Sequence, residues 1–337
     1  MIVYITTQGA YLKKSGDTLS IEKEGEKIAQ HPFKNIRMAV LFGNIQISTQ
    51  AMLALMENGC DVAMMTHNGH FRGRLASAYN KNITSRLKQF NKYNDLNFRL
   101  NFAKNIIYSK VKNGITLLKK YQYNSHNPVQ IDSIESLSGI LNEIKNASDI
   151  DSLRGYEGYA SKLYFQEFAK CITSKEIQFN GRVFFPSPDP VNALLSFGYS
   201  FVARELQAIL DAYGFDPYIG YFHEIKYGRA SLSLDLIEEF RHILVDRLVL
   251  KLINKRILGK DDFYRDEEQN QCYLKKESLN IFIHHYEAVA NTDNLAVAQK
   301  NNAVSYRKIF WEQVEKLRKT ILDNEPYSPY VFGEAEL

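Results

Sequence analysis

LNFRLNFAKNIIYSKVKNGITLLKKYQ, residues 96–122, is the stretch that decides how most of this 337-residue chain folds. Its apolar residues return with a period near 3.6, which is typical of an amphipathic helix. The same period predicts further helices near 79–93, 130–146, 153–170, 190–213, 233–258 and 275–323. From about residue 79 onward, the sequence therefore predicts an almost wholly helical domain.

The residues before this boundary follow a different pattern. Short segments that alternate polar with apolar residues predict strands at 2–6, 10–13, 18–22, 27–30 and 36–41. Ser48 is a predicted N-cap for a helix that runs to Gly59. A hairpin is predicted after it, with Asn68-Gly69 at its turn.

Together these patterns predict an α+β chain. A small β-rich N-terminal domain covers 1–78, a larger all-α domain covers 79–325, and 326–337 form a flexible tail. Asp189 is a predicted N-cap with Pro190 at the first helical position.

Composition narrows the class of protein. Hydrophobic residues make up 45% and charged residues 24% of the chain, as in globular proteins. No apolar run reaches the roughly 20 residues of a membrane-spanning helix, and no charged leader precedes the first strand, so we expect a cytoplasmic protein without a membrane partner. Cys60, Cys171 and Cys272 lie too far apart for a C-x-x-C pair and are expected to be buried.

The distribution of charge is uneven. The net charge is only +4, yet residues 81–120 carry ten Lys or Arg against one acid, Asp95. Aromatic residues are interleaved with these cations, a pattern that favours contact with a nucleic-acid backbone over a merely solvated helix face. The predicted DNA contacts are Lys88, Arg99, Lys104, Lys110 and Lys112.

Several motifs are absent. The chain has neither G-x-x-x-x-G-K-[ST] nor G-x-G-x-x-G, so nucleotide-driven chemistry has no support. His223-Glu224 begins like a zinc-protease motif, but Tyr227 stands where the second His belongs. One E-x-x-H, Glu239 to His242, is too few for a di-iron bundle.

Two segments could carry chemistry. In GYFHEIKYGRASLSLDLIEEFR, residues 220–241, His223 precedes a helix that Ser231 or Ser233 would cap, with Asp235 and Glu238 on one face. Alone, such acids are more often structural than metal-binding.

In the second segment, residues 153–165, Glu157 lies close to Gly155 and Gly158 in an otherwise apolar, aromatic stretch. Glycines at this place indicate the close approach of another group, such as a phosphate backbone. A carboxylate on such a face needs a partner, which a cation would supply.

These residues resemble a known family, the CRISPR-associated spacer-acquisition integrases, or Cas1 family. The resemblance spans nearly the whole chain. It is most specific in EGYASKLYF at 157–165, PDPVNALLSFGY at 188–199 and the 220–241 segment, with weaker echoes at Lys110, Asn113 and 327–330.

The resemblance implies a homodimer that joins a dimer of a smaller ferredoxin-like partner, with contacts through the N-terminal domain. It implies double-stranded DNA as substrate, both spacer precursor and CRISPR repeat. Carried onto this sequence, Glu157, His223 and Glu238 are the catalytic metal ligands for Mg²⁺ or Mn²⁺. The auxiliary positions are Asp235, Arg229 and Asn192.

The implied reaction is attack by a DNA 3′-OH on a phosphodiester of the repeat array. Three alternatives remain open. With water as nucleophile, the chain would be a general structure-selective, metal-dependent nuclease; without catalysis, it would be a nucleic-acid-binding scaffold; a third possibility is a hydrolase of other phosphate esters.

Overall fold

A computed structural model describes residues 1–67, 71–75, 83–123, 128–291, 294–299 and 302–333. The predicted Asn68-Gly69 turn, the domain boundary at 78 and Lys81 lie outside these residues. The chain divides into two compact units, Met1–Tyr79 with Leu274–Asn280, and Asn80–Tyr273 with Ile281–Leu337. The predicted α+β class, a β-rich N-terminal region before a mainly helical one, is confirmed.

The first unit contains two four-stranded sheets. Its strands are β1 Ile2–Ile5, β2 Tyr11–Ser15, β3 Thr18–Lys23, β4 Glu26–Pro32, β5 Met38–Phe42, β6 Gln46–Ile47, β7 Asp61–Met65 and β8 Phe71–Leu75. One sheet has the order β1-β5-β7-β8 and the other β4-β3-β2-β6. In the first sheet β1, β5 and β7 are parallel and β8 is antiparallel, so β7 and β8 form the predicted hairpin pair.

Helix α1, Thr49–Glu57, lies in the same unit. Its predicted N-cap is confirmed, because the Ser48 hydroxyl accepts a hydrogen bond from the Ala51 N–H at 3.2 Å. The core contains the inward side chains of Leu12, Leu41 and Leu55. Cys60 is buried in this core, and Cys171 and Cys272 are buried elsewhere, as predicted.

The rest of the chain is mainly helical. Its helices are α2 Ile83–Asn94, α3 Leu96–Tyr123, α4 Ile134–Asn146, α5 Ile150–Lys170, α6 Pro190–Ala212, α7 Ser231–Ile237, α8 Arg247–Asn254, α9 Lys276–Asn291 and α10 Tyr306–Asp323. A π-helical turn, Arg241–Asp246, leads into α8. Asp189 caps α6 with Pro190 at its start, as predicted. Within the described part of the chain, no helix is long and apolar enough to cross a membrane.

Three predictions for this region are wrong. The helix predicted at 275–323 is interrupted by two strands, β11 Asn294–Gln299 and β12 Asn302–Val304. A second pair of strands, β9 Phe263–Asp266 and β10 Gln271–Leu274, also departs from the predicted all-α domain. The sequence Asn-Thr-Asp-Asn at 291–294 is poor in helix formers, which explains the break. The helix predicted at 233–258 is divided by the π-helical turn.

The third error concerns the tail. Residues 326–333 are held in place, because Tyr327 packs on Phe102 with ring centroids 4.7 Å apart and Tyr330 stacks near Phe240 at 5.9 Å. Both tyrosines are buried. Two aromatic side chains thus outweigh the prolines and glycine that predicted a loose segment; residues 334–337 lie outside the described range.

Candidate active site

Three elements bring the predicted ligands Glu157 and Glu238 to one cation. Helix α3 carries Lys110, whose ammonium contacts Glu157 Oε1 on α5 and lies 2.9 Å from Glu238 Oε2 at the end of α7. The Ser161 hydroxyl donates to Glu157 Oε1 at 2.9 Å. Glu238 is almost completely buried, whereas the Glu157 side chain keeps 23% of its surface exposed. A bound phosphate group could therefore approach from the side of Glu157.

His223 joins this cluster through its Nε2 atom, which lies 3.7 Å from Glu238 Oε1. Its other ring nitrogen, Nδ1, lies 2.7 Å from Asp235 Oδ1. Because a carboxylate at Nδ1 fixes the tautomer and the ring orientation, Nε2 is left facing Glu238.

Asp235 also holds the backbone of the His223 loop. Its two carboxylate oxygens accept hydrogen bonds from the backbone N–H groups of Tyr221 at 2.6 Å, Phe222 at 3.1 Å and His223 at 2.9 Å. With these bonds made, Asp235 acts as a support for His223 and not as a member of the acidic pair.

The loop packs tightly against the start of α7. A Cβ atom added at Gly220 would lie 2.7 Å from Ser231 Cβ and 2.9 Å from Asp235 Oδ2, so a larger residue would push the loop away. The prediction that Ser231 or Ser233 caps the helix is wrong, since Ala230 occupies the N-cap position. The Ser231 hydroxyl instead donates to the Glu224 carbonyl at 2.8 Å, which ties the loop down.

Charge pairing keeps the cluster ionised. Burial alone would raise the pKa of Glu238, but Arg241, Lys110 and His223 outweigh it and lower that pKa to about 2. Burial would lower the pKa of Lys110, yet its neighbours Glu157 and Glu238 raise that pKa above its ordinary value. Against the effect of burial, Lys110 also lowers the pKa of Glu157. The site therefore has two carboxylates that share one cation.

The donor set suits a metal, although Lys110 takes the place between the carboxylates. In the described residues, no three His, Cys, Asp or Glu side chains already stand at the spacing of metal ligands. Two carboxylates and an imidazole nitrogen are nevertheless the donors that Mg²⁺ and Mn²⁺ accept, and Mn²⁺ tolerates the nitrogen better. Their attraction for the Lys110 ammonium shows that this position favours positive charge.

Two auxiliary residues have other partners. Asn192 is fully buried at the start of α6, where its side chain bonds to Arg182 Nη1 and the Val183 N–H, both at 2.9 Å. Its polar atoms are thus used to hold the 181–183 loop. Arg229 is half-buried in the loop before α7, and its backbone N–H closes a turn to the Lys226 carbonyl at 3.0 Å.

The predicted DNA contacts are dispersed. The Lys88 ammonium donates to the Leu322 carbonyl at 2.6 Å, and Arg99 Nε donates to the Tyr221 carbonyl at 3.3 Å. Lys104 and Lys112 are half-buried on α3. The prediction that Lys110 contacts DNA is corrected, because this side chain is buried between two carboxylates in the acidic site and is not available on the surface.

The groups behind this site were not predicted from the sequence. Arg241 Nε lies 3.1 Å from Glu238 Oε2, and the spacing Glu238-x-x-Arg241 was a signal for that pair. Asp246 accepts hydrogen bonds from the hydroxyls of Tyr164 at 2.8 Å and Tyr199 at 2.5 Å.

His242 Nδ1 lies 2.7 Å from the same Asp246 carboxylate. This buried network fixes the π-helical turn that carries Arg241, and such turns are frequent at functional sites. No sequence pattern indicated the network, because its members lie on three different helical segments.

Comparison with known proteins identifies the family. Residues 3–288 match the family described as CRISPR associated protein Cas1. The chain is 32% identical over 332 residues to CRISPR-associated endonuclease Cas1 3 of Thermus thermophilus, covering 98% of this chain and 96% of that one. It is 30% identical to CRISPR-associated endonuclease Cas1 of Clostridium perfringens, with 97% of each chain covered.

Solved structures share the fold. A Cas1 protein from Thermotoga maritima superposes over the full length of both chains, with a TM-score of 0.82 and 25% identity. A casposase bound to its integration product gives a TM-score of 0.85 at 21% identity, over 100% of this chain and 96% of the other. The family match over residues 3–288 and the similarity to full-length relatives therefore show that this chain belongs to the Cas1 family of CRISPR-associated proteins.

Proposed function

We propose that this chain is a metal-dependent DNA endonuclease and integrase of CRISPR adaptation, which inserts new spacer DNA into the repeat array. The observation that carries the proposal is the cluster in which Glu157 and Glu238 share the buried Lys110 ammonium and His223 Nε2 lies 3.7 Å from Glu238 Oε1. The relatives from Thermus thermophilus and Clostridium perfringens, which are named endonucleases, support the same activity.

Glu157, His223 and Glu238 would hold Mg²⁺ or Mn²⁺ in place of the ammonium. When bound, such an ion supplies Lewis-acid polarisation of the phosphate and lowers the pKa of an attacking hydroxyl. Asp235 keeps His223 in the tautomer that offers Nε2, so the imidazole is ready to bind.

The chain's own cations complete the site. The pentavalent phosphate carries more negative charge than the substrate, and Arg241, together with the Lys110 ammonium once the ion has displaced it, would place positive charge beside the metal site. In the transfer, one P–O bond forms to the DNA 3′-oxygen and another breaks, and the proton of the attacking hydroxyl balances the charge on the leaving oxygen. No external energy source is required, since one phosphodiester replaces another.

Double-stranded DNA is the proposed substrate, as spacer precursor and as CRISPR repeat, in the cytoplasm. The basic residues of α2 and α3 supply contacts to its backbone. We further propose a homodimer and a smaller ferredoxin-like partner dimer, with residues 1–78 as the surface for these contacts. One solved assembly that shares this fold is a Cas6-RT-Cas1 protein in complex with Cas2.

A strand-transfer assay tests the proposal. The protein is mixed with Mn²⁺ or Mg²⁺, a short duplex with free 3′-OH ends and a supercoiled plasmid that bears repeats. We expect joined product that is lost with EDTA, with His223→Ala and with Glu157→Gln. The matched control is Glu176→Gln, an exposed acid after α5, which should leave joining unchanged.

Other results assign other functions. Metal-dependent cleavage without joining, even after the partner protein is added, would identify a structure-selective nuclease. Intact DNA binding with no metal-dependent reaction would identify a scaffold. Turnover of small phosphate esters without DNA would point to a different hydrolase.

A further inference from the structure

A cavity of about 770 Å³ lies between the N-terminal half of α3, the ends of α4 and α10, and residues 324–331. This volume falls within the roughly 300–1,000 Å³ that enclose small-molecule ligands. Four lysines line it, against one acid, Glu325. The lysines are Lys92, Lys104, Lys145 and Lys316.

The charge of three of these lysines is not neutralised by acids. The Lys92 ammonium bonds to Asn324 Oδ1 at 2.7 Å and lies 4.8 Å from the centre of the Phe98 ring. Lys145 lies 4.8 Å from the centre of the Tyr108 ring. Within the described chain, no ion pair joins Lys92, Lys104 or Lys145 to a carboxylate. Neutral partners therefore orient two of them, and the cavity keeps a positive potential that attracts anions.

The other walls are aromatic and amide in character. Phe98 and Tyr108 are half-buried and offer ring surface, while Asn101 and Asn105 add amide groups. Ammonium groups for phosphate, ring faces for a base and amides for its edges are the combination found where nucleotides bind. A partly open cavity of this size suits a single nucleotide better than a duplex.

The floor of the cavity is already fixed. Tyr327 donates its hydroxyl to Glu239 Oε1 at 2.5 Å, and the Tyr330 carbonyl accepts from the Ser109 hydroxyl at 2.5 Å. Asn105 Nδ2 donates to the Tyr327 carbonyl at 3.0 Å. A preformed floor lowers the entropy lost when a ligand binds.

We propose that this cavity binds a nucleotide, either free or as an unpaired residue of a bound strand, with its phosphate at Lys104 and Lys145 and its base against Tyr108. The site is separate from the acidic cluster and requires no catalysis there. It thus goes beyond the proposed integrase activity, because it assigns the cavity a ligand class of its own.

Calorimetric titration of the full chain in EDTA and low salt tests the proposal. The probes are thymidine 5′-monophosphate, thymidine without phosphate, and a five-residue oligodeoxythymidylate. The variants are the pair Lys104→Ala with Lys145→Ala, then Tyr108→Leu, with Lys175→Ala as an exposed lysine control away from the cavity. Equal melting temperatures check that every variant is folded.

We expect saturable binding of a phosphate-bearing probe, and binding at least about tenfold weaker for the double lysine variant, since each charge-assisted contact contributes about that factor. Tyr108→Leu should weaken it as well, and Lys175→Ala should not. Binding of the mononucleotide identifies a free-nucleotide site, whereas binding of the oligonucleotide alone identifies a strand residue.

Equal affinity of the double variant and the native chain, or no saturable binding of either phosphate-bearing probe, would overturn the proposal. So would equally tight binding of thymidine, because it would remove the role of the lysines. EDTA keeps these outcomes independent of metal-dependent joining, so failure of the integrase proposal would leave them interpretable.

Discussion

Lys110 occupies the centre of the acidic site, where it neutralises two carboxylates that would otherwise repel each other. A buried carboxylate without a partner is costly, and removing one member of a buried pair destabilises a protein by about 3–5 kcal/mol. In the proposed mechanism, Lys110 is therefore a stand-in for the charge of the metal ion as well as a residue that acts in catalysis. Its two roles can be separated by measuring stability with and without metal.

Lys110→Met keeps an unbranched side chain that is one heavy atom shorter and removes its charge. We expect a lower melting temperature in EDTA, because Glu157 and Glu238 lose their shared partner. Mn²⁺ should then stabilise the variant more than the native chain, since the ion supplies the missing charge without having to displace an ammonium. An equal Mn²⁺-induced shift in both proteins would show that the ion binds elsewhere.

Asp235→Asn tests the support of His223. The amide replaces one acceptor oxygen by a donor, and each oxygen serves two contacts, so either the bonds from the Tyr221 and Phe222 N–H groups or those to the His223 N–H and Nδ1 are disrupted. Partners behind a metal ligand typically contribute about 10–100-fold in affinity. We expect the affinity for Mn²⁺, measured by electron paramagnetic resonance, to decrease by that factor. An unchanged affinity would mean that His223 keeps its position without Asp235.

The residues of the candidate active site were predictable only in part. Glu157, His223 and Glu238 followed from the resemblance; in the structure Lys110 joins the two glutamates, and His223 Nε2 lies 3.7 Å from Glu238. The burial of Lys110 did not follow, because helical period indicates which face a residue occupies but not which acids face it across a helix pair. Its charge counted toward a basic surface, although the structure places it inside.

At the scale of elements, local signals located two helix starts through their capping residues, whereas the starts capped by Asp149 and Ser305 were not predicted. Ser48 and Asp189 mark the starts of α1 and α6 through their own hydrogen bonds to the first turn. The π-helical turn and the docked C-terminal segment were not predictable, since both depend on contacts between residues far apart in sequence. In the segment at 326–333, the Tyr330 N–H donates to Glu239 and the Phe332 N–H donates to Asn113. Asn113 lies more than 200 residues earlier in the sequence.

That segment makes stability depend on pH through Glu239. Burial raises the pKa of Glu239 to about 7, and the hydrogen bonds from Tyr327 and Tyr330 offset only part of the rise. A carboxyl whose pKa is higher in the folded state binds its proton more tightly there than when unfolded. Its contribution to stability is therefore complete below about 4.5 and is lost as pH rises through about 7.

Glu239→Gln should remove this dependence. A pKa difference of 4.5 to about 7 corresponds to roughly 3 kcal/mol of unfolding free energy. Urea unfolding of the metal-free protein at pH 4.5 and 8 measures it, with Glu176→Gln as the control. The native chain should lose that much more stability than Glu239→Gln over this interval; parallel curves would show that Glu239 stays ionised in the fold.

At the scale of the whole molecule, charge is concentrated in α2 and α3 while the net charge stays small. The sequence shows this asymmetry directly, because the charged residues of a segment can be counted without knowing the structure. It does not show how many of these cations can reach DNA: Lys88 donates to the end of α10, Arg99 supports the His223 loop and Lys110 is buried. Fewer phosphate contacts are expected than the ten cations of 81–120 would suggest.

The salt dependence of duplex binding counts those contacts. Each phosphate contact contributes about 0.9 to the negative slope of log affinity against log salt, so Lys112→Ala should make the slope shallower by about one. Lys88→Ala should leave it unchanged, because that ammonium is already used by the Leu322 carbonyl. Filter binding from about 50 to 200 mM salt covers the range where the effect is large. Equal slopes for the native chain and Lys112→Ala would remove α3 from the DNA interface, and the search for phosphate contacts would then turn to other basic residues.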